Sequence, residues 1–352
     1  MRSGRRPRSG AGRSMNWARL TLLTTLLLVM AALAVGAWAW QAWDRLTAPI
    51  TADGESVVIE IPRGASFRQV VERLERETAF EDGLALRLYA RYTGDDARVQ
   101  AGEYALEPGI SVLDALERFA RGEVVQHRIT VVEGLTFRQM RRLIEAHPAL
   151  EQTLKGLDDE GVMAELGKPD RHPEGWFYPS TYTFPRGTTD RDLLARAMRR
   201  MERRLEEEWA ARADGLPLET PYEALILASI IERETGRDGE RAKVAGVFTR
   251  RLEKGMRLQT DPTVIYGMGE AYDGRIRSAD LRRDTPYNTY TRHGLPPTPI
   301  AMPGSASIRA AVNPADHDYL YFVSRGDGSH QFSRTLAEHN RAVRRYILGE
   351  GE

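Results

Sequence analysis

Residues 220–236 read Thr-Pro-Tyr-Glu-Ala-Leu-Ile-Leu-Ala-Ser-Ile-Ile-Glu-Arg-Glu-Thr-Gly. Thr220 suits an N-cap, Pro221 suits the first helical position, and Glu223 three residues after the cap predicts a capping box. Gly236 is placed to end the helix at its C′ position. The spacing therefore predicts a helix of about four turns, apolar nearly all round and so buried. Its last turn nonetheless carries two carboxylates, Glu232 and Glu234. A buried carboxylate is costly unless it is paired or protonated, and proton-donating catalysis wants the protonated state. Glu234 has Ile231, Ile230 and Leu227 at i−3, i−4 and i−7, whereas Glu232 has Ser229, Ala228 and Leu225. Desolvation should raise the pKa of Glu234 more, which makes it the better general acid, with Glu232 as the fallback. On this segment alone, pairing of both with Arg233, Arg237 or Arg241 explains the residues equally well.

Downstream, Gly255–Gly269 (GMRLQTDPTVIYGMG), Thr285–Tyr290 (TPYNTY) and Gly294–Gly304 (GLPPTPIAMPG) bracket polar residues with Gly, Pro and Tyr. Such segments suit loops lining a cleft, with Gln259, Tyr287 and Asn288 as hydrogen-bond partners for hydroxyl and acetamide groups. Upstream, Glu174–Pro185 (EGWFYPSTYTFP) places five aromatics within residues 176–184. Two prolines and the lack of a helical period predict an extended segment or loop, whose rings either stack on sugars or, more simply, fill a core. Residues 188–213 predict a long charged amphipathic helix. His317, His330 and His339 lack the spacing of a metal site, and with no cysteine in the chain Cys-type zinc and iron–sulfur chemistry are excluded. No metal or cofactor is expected.

The 352 residues suggest more than one domain. Of 50 basic residues, six fall in residues 1–43, which hold no acid, leaving 44 basic against 50 acidic in the remainder. A net acidic body is a poor partner for phosphate backbones, which argues against nucleic acid. Leu20–Trp40 is an uncharged run of 21 residues, about 31 Å as a helix and long enough for a bilayer core of about 30 Å. The preceding arginines place the N-terminus in the cytoplasm and the body outside, with Trp38, Trp40 and Trp43 at the outer interface. A cleaved signal peptide is the alternative, since Ala37-Trp38-Ala39 resembles a cleavage site, but the run is longer than a signal core.

A pattern then recurs. Ile61–Gln69 (IPRGASFRQ) is echoed by Val131–Gln139 (VVEGLTFRQ) and more loosely by Pro108–Asp114 (PGISVLD). Each predicts a strand, a Gly turn and a capped helix. This is either a recurrent helix start or a small glycan-binding module of LysM-like type. The expected architecture is α+β: a cytoplasmic basic tail (1–19), a transmembrane helix (20–43), a linker (44–55), a LysM-like module (56–125) and a mixed α/β catalytic domain (126–348).

The runs LASIIERET, GMRLQTDPTVIYGMG, PYNTYTRHGLPPTPI, YLYFV and HQFSRTLAEHN strongly resemble the YceG-like (MltG) family of endolytic murein transglycosylases, over nearly all of residues 56–345. The resemblance implies a lyase anchored in the bacterial inner membrane, with its catalytic domain in the periplasm. Such an enzyme cuts nascent peptidoglycan strands internally at the β-1,4 bond between N-acetylmuramic acid and N-acetylglucosamine, leaves a 1,6-anhydro end and so terminates strand growth. It also implies a LysM-like part before the catalytic domain and association with peptidoglycan synthases. Lytic transglycosylases end their catalytic helix in Glu-Ser and carry a Tyr-Asn-Ala-Gly motif; Glu234-Thr235 and Tyr287-Asn288 look like these. Relatives often have Pro-Asp-Thr-Tyr where this chain has Pro179-Ser180-Thr181-Tyr182, which argues against an essential carboxylate at 180. Two other readings predict different behaviour: a silent glycan-binding scaffold, indifferent to loss of Glu234, and a hydrolase with a second carboxylate such as Asp261.

Overall fold

The computed structural model describes residues 14–51, 54 and 56–349; the expected basic tail lies, up to residue 13, outside the described residues. The chain divides after Val125 into two units. In the first, helix α1 (Ser14–Thr47) is followed by strand β1 (Val57–Ile61), helices α2 (Phe67–Glu77) and α3 (Gly83–Thr93), strand β2 (Gly102–Leu106) and helix α4 (Val112–Arg121). β1 and β2 pair antiparallel, with Ile59 opposite Tyr104. The repeat forms as its chemistry requires. Gly64 supplies the positive φ of the turn, and Ser66 and Gln69 close a reciprocal capping box at the start of α2.

Apolar residues of these helices meet those of the sheet in a core that includes Leu74, Leu86, Tyr104, Leu106 and Phe119. The predicted linker is not one throughout. α1 continues to Thr47, Ala42 and Leu46 are buried in this same core, and Ile50 joins them. Turning those apolar side chains inward removes them from water, so the chain after residue 43 is held by packing rather than left free. α1 is long and apolar enough to cross a membrane over Trp17–Thr47.

The second unit opens with the third copy of the repeat: β3 (Gln126–Thr130), a turn at Gly134 and α5 (Phe137–Glu145), again with a full capping box from Thr136 and Gln139. Then follow β4 (Leu150–Glu151), α6 (Asp159–Glu165), β5 (Thr181–Pro185), β6 (Thr188–Thr189) and the long helix α7 (Asp190–Ala210). Helices α8 (Pro221–Glu234), α9 (Asp238–Glu253), α10 (Asp261–Met268), α11 (Ser278–Arg282) and α12 (Ser305–Val312) come next, then β7 (Tyr321–Ser324), β8 (His330–Ser333) and α13 (Leu336–Tyr346). The sheets are pairs: β3 with β5, β4 with β6 and β7 with β8.

α8 lies in the middle of this unit, with every residue from Ala224 to Ile231 buried. Its cap is Thr220, as expected, but the Glu223 carboxylate accepts from the backbone of Glu219 rather than from Thr220, so the box is not reciprocal. Nor does Gly236 form a left-handed cap. Gly236 does follow the C-cap at C′, as expected, but the cap itself, Thr235, turns extended and buries its side chain. The five aromatics Trp176, Phe177, Tyr178, Tyr182 and Phe184 are all buried in the core, and 181–185 is a strand. Their rings are therefore not free to stack on sugars. Packing consumes them instead: Phe137 stacks on Phe177, and Trp176 on Tyr222.

Candidate active site

The last turn of α8 sends its two carboxylates to different partners, because residues i and i+2 of a helix point about 200° apart. Glu232 is the paired one. Its side chain is 6% exposed, 3.6 Å from the buried Arg241 guanidinium of α9. It also accepts from the backbone N–H of Gly304 at 2.9 Å. The repeat turn around Gly134 joins this cluster: Gly134 donates to the Met302 carbonyl at 2.9 Å, and Arg233 donates back to the Gly134 carbonyl. Glu133 sits beside Glu232, and burial together with that neighbour holds its carboxyl above the usual range.

Glu234 has no such partner: among the described residues no basic side chain is within ion-pair reach of it. Its carboxylate accepts a hydrogen bond from the Thr260 hydroxyl. Burial, with Asp261 nearby, pushes its pKa up to about 7, against the opposing pull of the Thr260 bond, His330 and Arg251. Protein packs closely around the carboxyl group, yet the residue keeps an accessible edge. An acid so placed holds its proton near neutrality, the state a proton donor requires.

Thr260 is fixed from behind. Its N–H donates to Thr289 Oγ1 at 3.1 Å, its carbonyl accepts from Thr263 at 2.8 Å, and the Thr263 and Thr289 hydroxyls meet at 2.9 Å. Gln259, immediately before it, is exposed and carries φ +49°, the one non-glycine with positive φ among the described residues. A left-handed conformation at a residue with a Cβ costs about 1 kcal/mol or more, and such strain gathers at sites that the surrounding structure over-determines. Its N–H is tied to the Thr289 carbonyl at 3.1 Å.

The TPYNTY loop divides its labour differently from the sequence expectation. Asn288 is 1% exposed. Its amide nitrogen donates to the carbonyls of Asp280, Leu281 and Arg283, and its oxygen accepts from Tyr290 N–H. It is thus a loop organiser, its amide spent on carbonyls of α11 and its C-cap rather than left for a sugar. Tyr287 is half-buried, edge-on to Tyr266, with its hydroxyl 2.9 Å from that of Thr298. Tyr290 donates to Asp261 at 2.6 Å. Beneath them Arg251 is buried and bonded to the carbonyls of Arg257, Leu258 and Leu320. Burial lowers its pKa while Tyr321, Tyr290 and Glu234 raise it. His330 is engaged by Glu240 at 2.7 Å, His317 by the Lys243 carbonyl, and His339 lies on Tyr321. Among the described residues no three His, Asp or Glu side chains are gathered for a metal.

A second buried acid escaped the sequence reading. Glu174 accepts from Phe137 N–H, at the first turn of α5, at 2.9 Å and from the Tyr266 hydroxyl at 3.0 Å. Burial outweighs both bonds and pushes its pKa up to about 8. An acid just ahead of a core aromatic run is the signal that could have found it. Since the unfolded chain gives up this proton near 4.5 and the folded one near 8, the folded state holds more protons between the two, and stability falls as pH rises through that window. Glu174→Gln is expected to flatten this fall by about 1.4 kcal/mol per pH unit. Urea unfolding of wild type and variant at pH 5 and pH 8 checks it; parallel losses in the two proteins would rule it out.

Compared with known proteins, the chain matches the YceG-like family over residues 59–345. It is 34% identical to an endolytic murein transglycosylase of Bacillus subtilis, across 87% of this chain and 89% of that protein. It is 26% identical to an endolytic murein transglycosylase of Streptococcus pneumoniae, across 85% of this chain and 60% of that longer protein. A crystal structure of a YceG-like protein from Listeria monocytogenes superposes with a TM-score of 0.54 and 32% identity, covering 82% of this chain and 98% of that one. The family match begins in β1 and runs through α8 and every loop around Glu234 into α13, and on that extent this chain belongs to the YceG-like family.

Proposed function

We propose that this protein is an endolytic murein transglycosylase, a lyase, and that Glu234 is its acid. The observation that carries the reading is the Glu234 carboxyl: enclosed, without an ion-pair partner among the described residues, held by one hydroxyl and raised to about 7 within the segment matched by the family. The substrate class is peptidoglycan glycan strands, as the names of the relatives indicate. In the proposed reaction protonated Glu234 gives its proton to the β-1,4 glycosidic oxygen between the muramic sugar and the following N-acetylglucosamine. The muramic C1–O bond breaks, and positive charge develops on that sugar. The carboxylate then takes the proton of the same sugar's C6 hydroxyl as O6 bonds to C1, closing the 1,6-anhydro ring. No water enters, so a single carboxyl group serves both steps, unlike the paired acids of ordinary glycosidases.

Gln259 and Tyr287 are proposed to hold the sugars, and Asn288 to position the loop that carries Tyr287 and Tyr290. The first unit is proposed to be a LysM-like glycan-binding module, supported by its strand–turn–helix repeats around a two-stranded sheet. α1 is proposed as a single inner-membrane anchor, N-terminus in the cytoplasm and both units in the periplasm, supported by its apolar length and the arginines before it. Peptidoglycan synthases are the expected partners.

The reaction is tested by digesting purified glycan strands in ¹⁸O-water and weighing the products. Anhydro-muramic ends without ¹⁸O are expected. Reducing ends carrying ¹⁸O would make the enzyme a hydrolase, with Asp261 the nearest second carboxylate to consider, and uncut strands would favour a binding scaffold.

A further inference from the structure

α3 shows an unusual face. Its inner side, Leu86 and Ala90, is fully buried in the core of the first unit. Its outer side carries Leu84, Leu88 and Tyr92 at i, i+4 and i+8, which are 54%, 52% and 91% exposed. Arg87 and Arg91 flank them; Arg91 lies 3.5 Å from Asp96 just past the helix yet stays largely exposed, and the helix itself contains no acidic residue. Apolar side chains edged by arginine, with no acid between them, are the composition of a helix that lies in a membrane interface rather than in bulk water.

The packing of α1 places this face. Ala42 and Leu46 of α1 are buried in the same core, so the module follows the helix without a free joint. The Arg45 guanidinium reaches Asp82, just before α3, at 3.2 Å. The Trp43 and Tyr89 rings meet at 6.3 Å. These two contacts set residue 82 beside 45 and residue 89 beside 43, so α3 lies against the last turns of α1, just past its uncharged stretch. Tyr92 lies a further ~4.5 Å along α3 from Tyr89 and is 91% exposed. With residues 20–40 in the bilayer, α3 comes to headgroup depth.

We propose that the outer face of α3 is a lipid-contacting surface: Leu84, Leu88 and Tyr92 enter the outer leaflet, Arg87 and Arg91 meet anionic headgroups, and the first unit is held down on the membrane. The proposal rests on the reading of α1 as the anchor, and it adds to that reading. A tether would let the module drift from the bilayer, whereas this contact fixes its orientation and depth.

The absence of cysteine lets one introduced thiol carry one nitroxide label. Full-length Leu88→Cys, Tyr92→Cys, Arg68→Cys and Leu27→Cys are reconstituted in phosphatidylethanolamine/phosphatidylglycerol vesicles, and collisions with oxygen and a water-soluble nickel chelate are measured. Labels at 88 and 92 are expected to be oxygen-favoured, at a depth of about 5–10 Å in the headgroup–acyl boundary, with 68 nickel-favoured and 27 deep in lipid. Labels at 88 and 92 matching 68, while 27 stays in lipid, would overturn the proposal and leave the anchor standing. Shielding of 88 and 92 from both reagents would assign the face to a second copy of the chain and overturn it too. Water exposure at 27 would remove the anchor reading and the proposal with it.

Discussion

Glu234→Gln is expected to lower the cleavage rate by about 10²- to 10⁴-fold, the usual worth of a positioned proton donor. The substitution keeps the shape of the side chain and an oxygen for the Thr260 hydroxyl, so binding of strands should survive while proton delivery does not. Stability offers an independent check. A carboxyl group whose pKa burial has pushed up to about 7 opposes folding whenever it ionises. Removing it should leave the variant at pH 8 at least as stable as wild type, the usual relation between an activated site and the fold that carries it. In wild type, turnover should decline as pH rises through about 7, because the acid is then lost. Rates from muropeptide release by the two proteins across pH 5–9 decide the matter. A variant that cuts at the wild-type rate would move the acid elsewhere, whereas Glu232→Gln should still cut per folded molecule.

The second large effect is on folding. Arg241→Met is expected to cost about 3–5 kcal/mol, because it leaves a buried carboxylate without its cation. Glu232 would keep only the Gly304 N–H, with Glu133 beside it as a like charge. Arg241 also donates to Ser307 at 3.2 Å and to Asp238, so its loss unties α9 from α12 as well. Adding Glu232→Gln to Arg241→Met should restore part of the loss, since groups in contact are not additive. Urea denaturation of the two singles and the double measures the coupling. A single variant within about 0.5 kcal/mol of wild type, the range of ordinary surface changes, would show the pair to be dispensable.

These two predictions separate two glutamates that stand two residues apart, and local sequence went only part of the way. The apolar neighbours of Glu234 at i−3 and i−4 marked it as the acid that burial would raise, and burial does push its pKa up to about 7. What they could not show is that Glu232 is stabilised by an arginine from the next helix. Asn288 illustrates the same limit from the other side. A polar residue in a Pro- and Tyr-bracketed loop reads as a ligand for sugar, but three backbone carbonyls around α11 claim its amide first. The aromatic run 176–184 likewise offered stacking or core packing, and burial of all five rings decided for the core.

Sequence alone determined whatever depends on neighbours within a turn or two: the capped, apolar α8, the capping boxes at Ser66 and Thr136, the membrane-length run in α1 and the amphipathic α7. Each rests on spacing along one element, so a 3.6-residue period or a three-residue cap offset is enough to read it. Only the tertiary structure decided which charges meet. Thr260 lies 26 positions from Glu234, Tyr266 lies 92 from Glu174, and Gly304 lies 72 from Glu232. Each of these contacts joins segments far apart in the chain, whose approach no local pattern specifies. A carboxyl group's proton affinity depends on its desolvation and on the nearest charges in space, and both are properties of the packed fold.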